Sequence, residues 1–509
     1  MDRIKKRMSD SKEASMLVLV YRATSPKLNP ASARSYLDYM VTHSVYQTLF
    51  RRNDQGNFTG GLVETWKVFE EGKIYQLRLK PEAKFSDGSE VLAIDVIESL
   101  SMHGWPEINS IVDQYLKDIV LGYSDIKESG QIPSGLVALD EKTVQIELSH
   151  PSPHLLNILS MPGFAIQKSG ILKRNQSLDG SGEFYVRWNE SSNVLTMKRR
   201  QEAKKSKHLP TEIEVRWTID LSEIKETLKS RMVHLVLGLS PEKVEELEIE
   251  NQILKDYTVL KSESFSINAF VLNERTNALR ENPKMRTDLG LLIQAATAHC
   301  TKELSYQTPR SSLLPEGLLP EFYYDRKVEE ISADLFASRW GHLFGERDFN
   351  ILIDDNFWDP SWCRSFKAKI ESVLPTIKVH IGRATEFQKT WEAGEIDLFP
   401  FGYIGNFPDP YGFIYGLKSD LIPHFKISSD DLMTRAVLAN QIRDPKRRLI
   451  KYAKIIQEFE DSGWIIPMFK SFVPMILHKI VRLSMGDMKY EDRLCQLFKL
   501  IEIKEPGEA

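Results

Sequence analysis

The sequence predicts an α/β or α+β chain of about two to four domains, and three observations carry that expectation. Stretches with apolar residues at helical spacing follow stretches with strict alternation along the whole chain. Its 509 residues exceed the roughly 250–300 at which a single core stops growing. Its composition, 42% hydrophobic and 27% charged, is that of a folded globular chain. The 67 Lys and Arg against 71 Asp and Glu leave a formal charge of -4, which argues against a chain-wide nucleic-acid surface. Three cysteines, Cys300, Cys363 and Cys495, cannot all pair and show no zinc spacing.

The elements follow in order. The first fifteen residues are basic like the flank of a signal peptide, but only the apolar run Met16–Val20 follows. An export segment needs about 7–15 apolar residues and a spanning helix about 20. The run therefore reads as a strand, Met16–Tyr21. The sequence as written is expected to carry no export signal: either one was trimmed or the protein stays inside. Residues 34–50 place Leu37, Met40, Val41, Ser44, Val45, Thr48 and Leu49 on one helical face. Val63–Phe69 and Ile74–Leu79 alternate around Gly72 and predict a hairpin. Phe85-Ser-Asp-Gly88 predicts a tight turn, and Ile94–Met102 a helix. Two more hairpins are expected at Leu136–Leu139 with Thr143–Leu148, and at Phe184–Trp188 with Val194–Lys198. The basic run 198–208 has no interleaved aromatics and reads as a solvated loop. Ser240-Pro241-Glu242 opens a helix.

From Ser264 the chain restarts with a strand, Phe265–Asn273, and a helix, Lys284–Ala298. Strands at 349–354, 377–381 and 397–402 alternate with helices at 362–374 and 387–393, the order of one lobe of a doubly wound sheet. A helix over Pro445–Glu460 and strands at Trp464–Val473 and Met475–Val481 end the pattern.

The residues spell out no catalytic constellation. There is no Gly-x-Ser-x-Gly, no phosphate loop and no dinucleotide fingerprint. Asp179-Gly-Ser-Gly182 lacks the Lys of a phosphate loop. The prolines of His150-Pro-Ser-Pro-His154 prevent a helical ligand pair. His299 and Cys300, adjacent on a helix, point about 100° apart and do not share a proton. The expectation is a protein that is not an enzyme, with no metal and no cofactor.

One resemblance organises the chain. Residues 61–100 run through Leu62-Val-Glu64-Thr-Trp66, a Gly72 hairpin, a Lys84-Phe-Ser-Asp-Gly88 turn and a helix with Asp95-Val96. This order closely resembles the signature region of the peptide/nickel class of solute-binding proteins, the extracytoplasmic receptors of ABC importers. Asp179-Gly-Ser-Gly-Glu-Phe184, the strand Phe265–Asn273, the helix with Arg286, the proline loop Pro315–Pro320, Gly402-Tyr-Ile-Gly-Asn-Phe-Pro-Asp-Pro410 and Arg447–Glu458 with Trp464-Ile-Ile-Pro467 match in register. The resemblance covers roughly residues 16–485.

It implies a two-lobe clamp of the periplasmic-binding-protein kind, with a hinge. Lobe I would be 1–262 and 470–509, with an extra subdomain near 38–180, and lobe II 263–469. Hinge closure around a ligand would select the form that the permease recognises. The partners implied are a peptide-like or other small polar ligand and the ABC permease subunits in the membrane, with no nucleic acid; the receptor would be a monomer. The location implied is periplasmic or extracellular. Two alternatives stay open: a cytoplasmic ligand-sensing module of a regulator, and a nickel or metal-chelate receptor.

The resemblance also names the ligand-binding residues: Phe387, Gly402, Tyr403, Ile404 and Asn406. Residues 402–404 would bond a peptide-like ligand through their backbone. Peptide-binding members place an Asp against the ligand's α-ammonium, and the register of Pro408 and Pro410 puts Asn406 there. One reading is that this protein does not hold a free peptide N-terminus; the other is that Asn406 caps a turn. Tyr403 and Phe387 face the ligand in the family, or pack a core. On the first reading, Asn406→Asp is expected to create calorimetrically measurable affinity for unblocked peptides; tight wild-type binding of the same peptides would overturn it. Asp409 is expected to fix the loop. Glu183 stands for the family's Pro, and Leu92 for its hydroxyl N-cap.

Overall fold

The computed structural model describes residues 15–21, 25–53, 57–170, 179–189, 193–201, 209–250, 253–301, 307–325, 331–344, 348–354, 358, 360–382, 388–405, 407–417, 430–483, 498 and 501–503. The chain forms two compact units. One comprises Met1–Leu239, Leu247–Leu260 and Met475–Ala509, the other Ser240–Glu246 and Lys261–Pro474.

The first unit is built on a mixed sheet in the order Tyr257–Glu263, Phe469–His478, Leu235–Leu237, Ser15–Tyr21, Glu212–Thr218, Val194–Arg199, Phe184–Asn189, of which residues 261–263 and 469–474 belong to the second unit. Ser15–Tyr21 lies parallel to both of its neighbours. Every residue from Met16 to Tyr21 is buried, as a central parallel strand covered on both faces requires. That placement accounts for an unbroken apolar run only six residues long. The helix Tyr36–Val45 lays Leu37, Met40, Val41 and Val45 into the same core as Val18, Ile213 and Leu235. Ser35 and Asp38 cap it reciprocally, and the buried Asp38 carboxylate also accepts the backbone N–H groups of Lys27 and Arg34.

The helix expected over 34–50 stops at Val45. The carbonyl of Val45 accepts from Gly182 N (2.7 Å), Gln47 bridges Ile166, and Phe50–Arg52 becomes a strand paired with Phe58–Gly60. Thr48 and Leu49 are still buried, but as extended chain. A four-stranded antiparallel sheet, ordered Val63–Phe69, Ile74–Leu79, Thr143–Glu147, Leu136–Asp140, contains two of the expected hairpins. Gly88 turns at φ +86°. The helix Ala93–Ser101 has no hydroxyl at Leu92; instead Asp95 Oδ2 accepts from Leu92 N (2.7 Å), the half of a capping box that needs no N-cap side chain. Glu183, in the place of a proline, pairs with buried Arg199 (2.5 Å). The basic run is described only as far as residue 201, so most of it lies outside the described residues.

The second unit is a five-stranded sheet ordered Ile377–Ile381, Phe349–Ile353, Leu398–Ile404, Ser266–Leu272, Ile465–Pro467. The first three strands are parallel, the alternation with helices that the sequence predicts, and Ser266–Leu272 runs antiparallel to both of its neighbours. The helices Pro283–Thr301 and Pro360–Glu371 cover one face, where Phe270, Leu272, Leu289, Ile293, Trp362 and Phe366 form the core. Asp397, fully buried, pins the entry to the central strand. Its Oδ1 accepts from Thr276 Oγ1 (2.5 Å) and its Oδ2 from Asn350 N (2.8 Å). The strands expected at Trp464–Val473 and Met475–Val481 are in fact Ile465–Pro467, Phe469–His478 and Val481–Leu483. Phe469–His478 continues through Pro474, which lies outside the segments that pair with Gln307–Pro309 (469–471) and with Leu235–Leu237 (476–477).

Candidate functional site

The strand Leu398–Ile404 outruns one of its neighbours. Along its whole length it pairs with Ser266–Leu272, so that Ser266 faces Ile404, Ile267 faces Tyr403 and Asn268 faces Gly402. On its other edge it meets Phe349–Ile353 at one register position, Ile351 opposite Leu398. Among the described residues, Phe399–Ile404 thus presents an edge beyond the parallel ladder, at the carboxyl end of a strand. In open α/β sheets that is where ligands are taken up.

The two glycines of this segment differ in kind. A Cβ on Gly405 would stand 2.3 Å from the Phe413 ring, so packing demands a glycine there. A Cβ on Gly402 would meet nothing within 4 Å, and its φ is not in the left-handed region. Neither sterics nor conformation requires a glycine at 402, where it weakens the strand. What it leaves is open space above exposed backbone, beside Ile404, which is 41% exposed on the same side.

Tyr403 points to the opposite face. Its ring lies over Gly416, where a Cβ would come within 2.1 Å, and it is parallel to Phe401 (6.5 Å) and edge-on to Phe413 (6.4 Å). The helix Pro410–Gly416 behind it is wholly buried, and Asp409 caps it by accepting from Tyr411 N (2.9 Å), a structural part for that carboxylate. The structure brings Gly402, Tyr403 and Ile404 together on one strand; Phe387 and Asn406 lie outside the described residues.

Sequence reasoning missed the polar groups that flank this strand end. Asn268 Nδ2 lies 3.2 Å from Ser266 Oγ, Phe469 O and Ser471 Oγ. The strand Gln307–Pro309 pairs with Phe469–Ser471 and delivers Arg310 beside Ser266, whose carbonyl accepts from Arg310 Nη1 (3.0 Å). Burial pulls the pKa of that guanidinium below its ordinary value, against Glu263 and Glu316, which raise it. Lys470 Nζ stands 3.9 Å from both carboxylates. No local motif marks Arg310, because only a pairing some 160 residues apart in sequence brings it here.

The other sequence candidates resolve into packing. Buried His154 begins a short helix, Leu155–Ile158, while His150 Nδ1 meets Ser149 Oγ. Cys300 is buried against Ser365 (3.4 Å). Among the described residues no group of three or more His, Cys, Asp or Glu is placed to hold a metal, and no helix is long and apolar enough to cross a membrane.

Known proteins resemble this chain in sequence and in fold. The probable D,D-dipeptide-binding periplasmic protein DdpA of Escherichia coli is 22% identical over 496 residues, 92% of this chain and 90% of that one. The murein tripeptide binding protein MppA of E. coli superposes with a TM-score of 0.77 at 15% identity, covering 97% of this chain and 99% of that one. The periplasmic binding protein DppA of Helicobacter pylori, solved with a bound peptide, gives 0.76 at 18% identity, covering 98% and 100%. The model of the family described as "Bacterial extracellular solute-binding proteins, family 5 Middle" matches residues 57–421. A match over that much of the chain, on this two-unit α/β architecture, makes the protein a member of the family-5 extracellular solute-binding proteins.

Proposed function

We propose that the chain is the ligand-capturing receptor of an ABC importer, working outside the cytoplasm, and that a peptide-like ligand docks along residues 402–404. The observation that carries this reading is Gly402, a glycine that neither packing nor backbone conformation requires, on a strand edge that among the described residues lies beyond the parallel ladder. Such an edge offers alternating N–H and C=O groups to an extended ligand, and an absent side chain lets the ligand backbone come close. The relatives support the choice of ligand: one is named for D,D-dipeptides and another is solved with a peptide. The units Met1–Leu239 with its later segments and Ser240–Glu246 with Lys261–Pro474 would serve as the two lobes.

Native mass spectrometry of gently purified protein tests the reading directly. A copurifying mass that matches a short peptide or peptide conjugate is the expected result. Absence of any bound species, with no retention from a peptide library, would refute the proposal. The strand edge is tested by Gly402→Val. Valine fits a strand and meets nothing, so stability should stay within about 0.5 kcal/mol of wild type. The added methyls occupy the ligand's approach, and affinity measured by calorimetry should fall at least about tenfold, or about 1.4 kcal/mol.

A further inference from the structure

Among the described residues at the strand end, Arg310 is a cation whose side chain is almost wholly enclosed, 5% exposed. Its Nη1 is used by the carbonyl of Ser266, while Nε and Nη2 are buried with no hydrogen-bond partner. A guanidinium stays charged, and water does not reach these two donors, so each is an unmet cost. Their identity matters. Nε–H and Nη2–H point the same way and form the side-on fork that accepts both oxygens of a single carboxylate. The nearest internal carboxylate falls short: Glu263 Oε1 is 3.8 Å from Nη2, beyond hydrogen-bond range. Glu263 is itself 45% exposed, and the same Oε1 stands 3.9 Å from Lys470 Nζ. It is a screen beside the fork, not its occupant.

We propose that Arg310 is a carboxylate-binding subsite, its Nε–H and Nη2–H receiving one carboxylate of the ligand side-on as Glu263 turns away. This rests on the receptor reading above and narrows its ligand to peptide-like acids. Register places the fork beside the docking strand: the Ser266 carbonyl that holds Arg310 belongs to the residue opposite Ile404.

The test uses the full chain and three tri- and tetrapeptide libraries: free acids, C-terminal amides, and free acids with Asn and Gln in place of Asp and Glu. Native mass spectrometry ranks the retained members, and calorimetry measures the best of them. Wild type should lose at least about tenfold in affinity on amidation or on the Asn/Gln replacement. The first outcome assigns a terminal carboxylate and the second an acidic side chain. Arg310→Met should erase that difference. Glu263→Gln should tighten acid binding, since it removes the screen; it also answers the question if Arg310→Met does not fold. Equal wild-type affinity for all three libraries overturns the subsite and leaves the receptor reading intact. Equal losses of Tm in Arg310→Met and Glu263→Gln, with the acid preference unchanged, make the pair purely structural and also overturn it. Retention of no peptide at all removes the receptor reading and this subsite with it.

Discussion

Gly180→Ala is expected to destabilise the first unit by about 3 kcal/mol or more, enough to lose soluble protein at growth temperature. The Cβ of that alanine would lie 1.9 Å from Val45 O and 2.7 Å from Val45 C. These are backbone atoms at the end of a helix, so no rotamer change makes room. Gly182 repeats the constraint two residues on, with Ser44 O at 2.3 Å, and its N–H donates to Val45 O. Neither glycine is in the left-handed region; space alone demands them. Gly88→Ala is the contrasting change. It has φ +86° and nothing within 4 Å, so it carries only conformational strain of about 1–2 kcal/mol. Urea unfolding followed by circular dichroism separates the two. A loss below about 1 kcal/mol at Gly180 would refute the close packing.

The second large effect is acid lability of the first unit. His234 is buried, and its Nδ1 accepts from Leu17 N (3.0 Å), so the neutral ring does the work of a strand carbonyl. Facing it are His478 (rings 6.5 Å apart) and, beyond, Tyr257, Asp256 and Arg231, the last two paired at 2.6 Å. Burial, reinforced by His478, pushes the pKa of His234 down to about 4. Burial also pushes His103, hydrogen-bonded to Ser110 Oγ (2.7 Å), down to about 3. In the unfolded chain both titrate near 6.5. Between the folded and unfolded values the unfolded chain binds more protons, so stability falls as pH falls. It is fully present above about pH 6.5, and the His234 share is gone below about 4. At about 1.4 kcal/mol per unit, that share is on the order of 3 kcal/mol. Denaturant melts from pH 7 to 4 should show the decline. His234→Asn keeps an acceptor near Nδ1 without the titration and should flatten it; an unchanged slope in that variant would exclude His234 as the cause.

Much of this was legible in the sequence for local reasons. The alternation of Ile74–Leu79 around Gly72 and the helical stripe through Leu37, Met40 and Val41 are patterns that short-range geometry enforces, and the structure has both elements. The helix-strand order of residues 349–404 likewise implied a parallel sheet, because a parallel pair needs a crossover. Ends of elements were less legible. The stripe continued past Val45, yet the helix stops there because the Gly180–Gly182 loop closes on its last carbonyls from about 135 residues away.

The site divides along the same line. The resemblance named Gly402, Tyr403 and Ile404, and Asp409, expected to fix the loop, caps the helix Pro410–Gly416, which the sequence reading did not include. Which glycine is packing and which is open space was not readable, since Gly402 and Gly405 look alike until Phe413 is placed beside one of them. Arg310 was silent because a guanidinium acquires meaning only from what encloses it. The sequence by itself determined the class of the fold, its alternating elements and its family resemblance, since hydrophobic period and turn chemistry act over a few residues. Only the tertiary structure decided which groups are left without partners, because burial and hydrogen-bond supply are set by segments far apart in the chain.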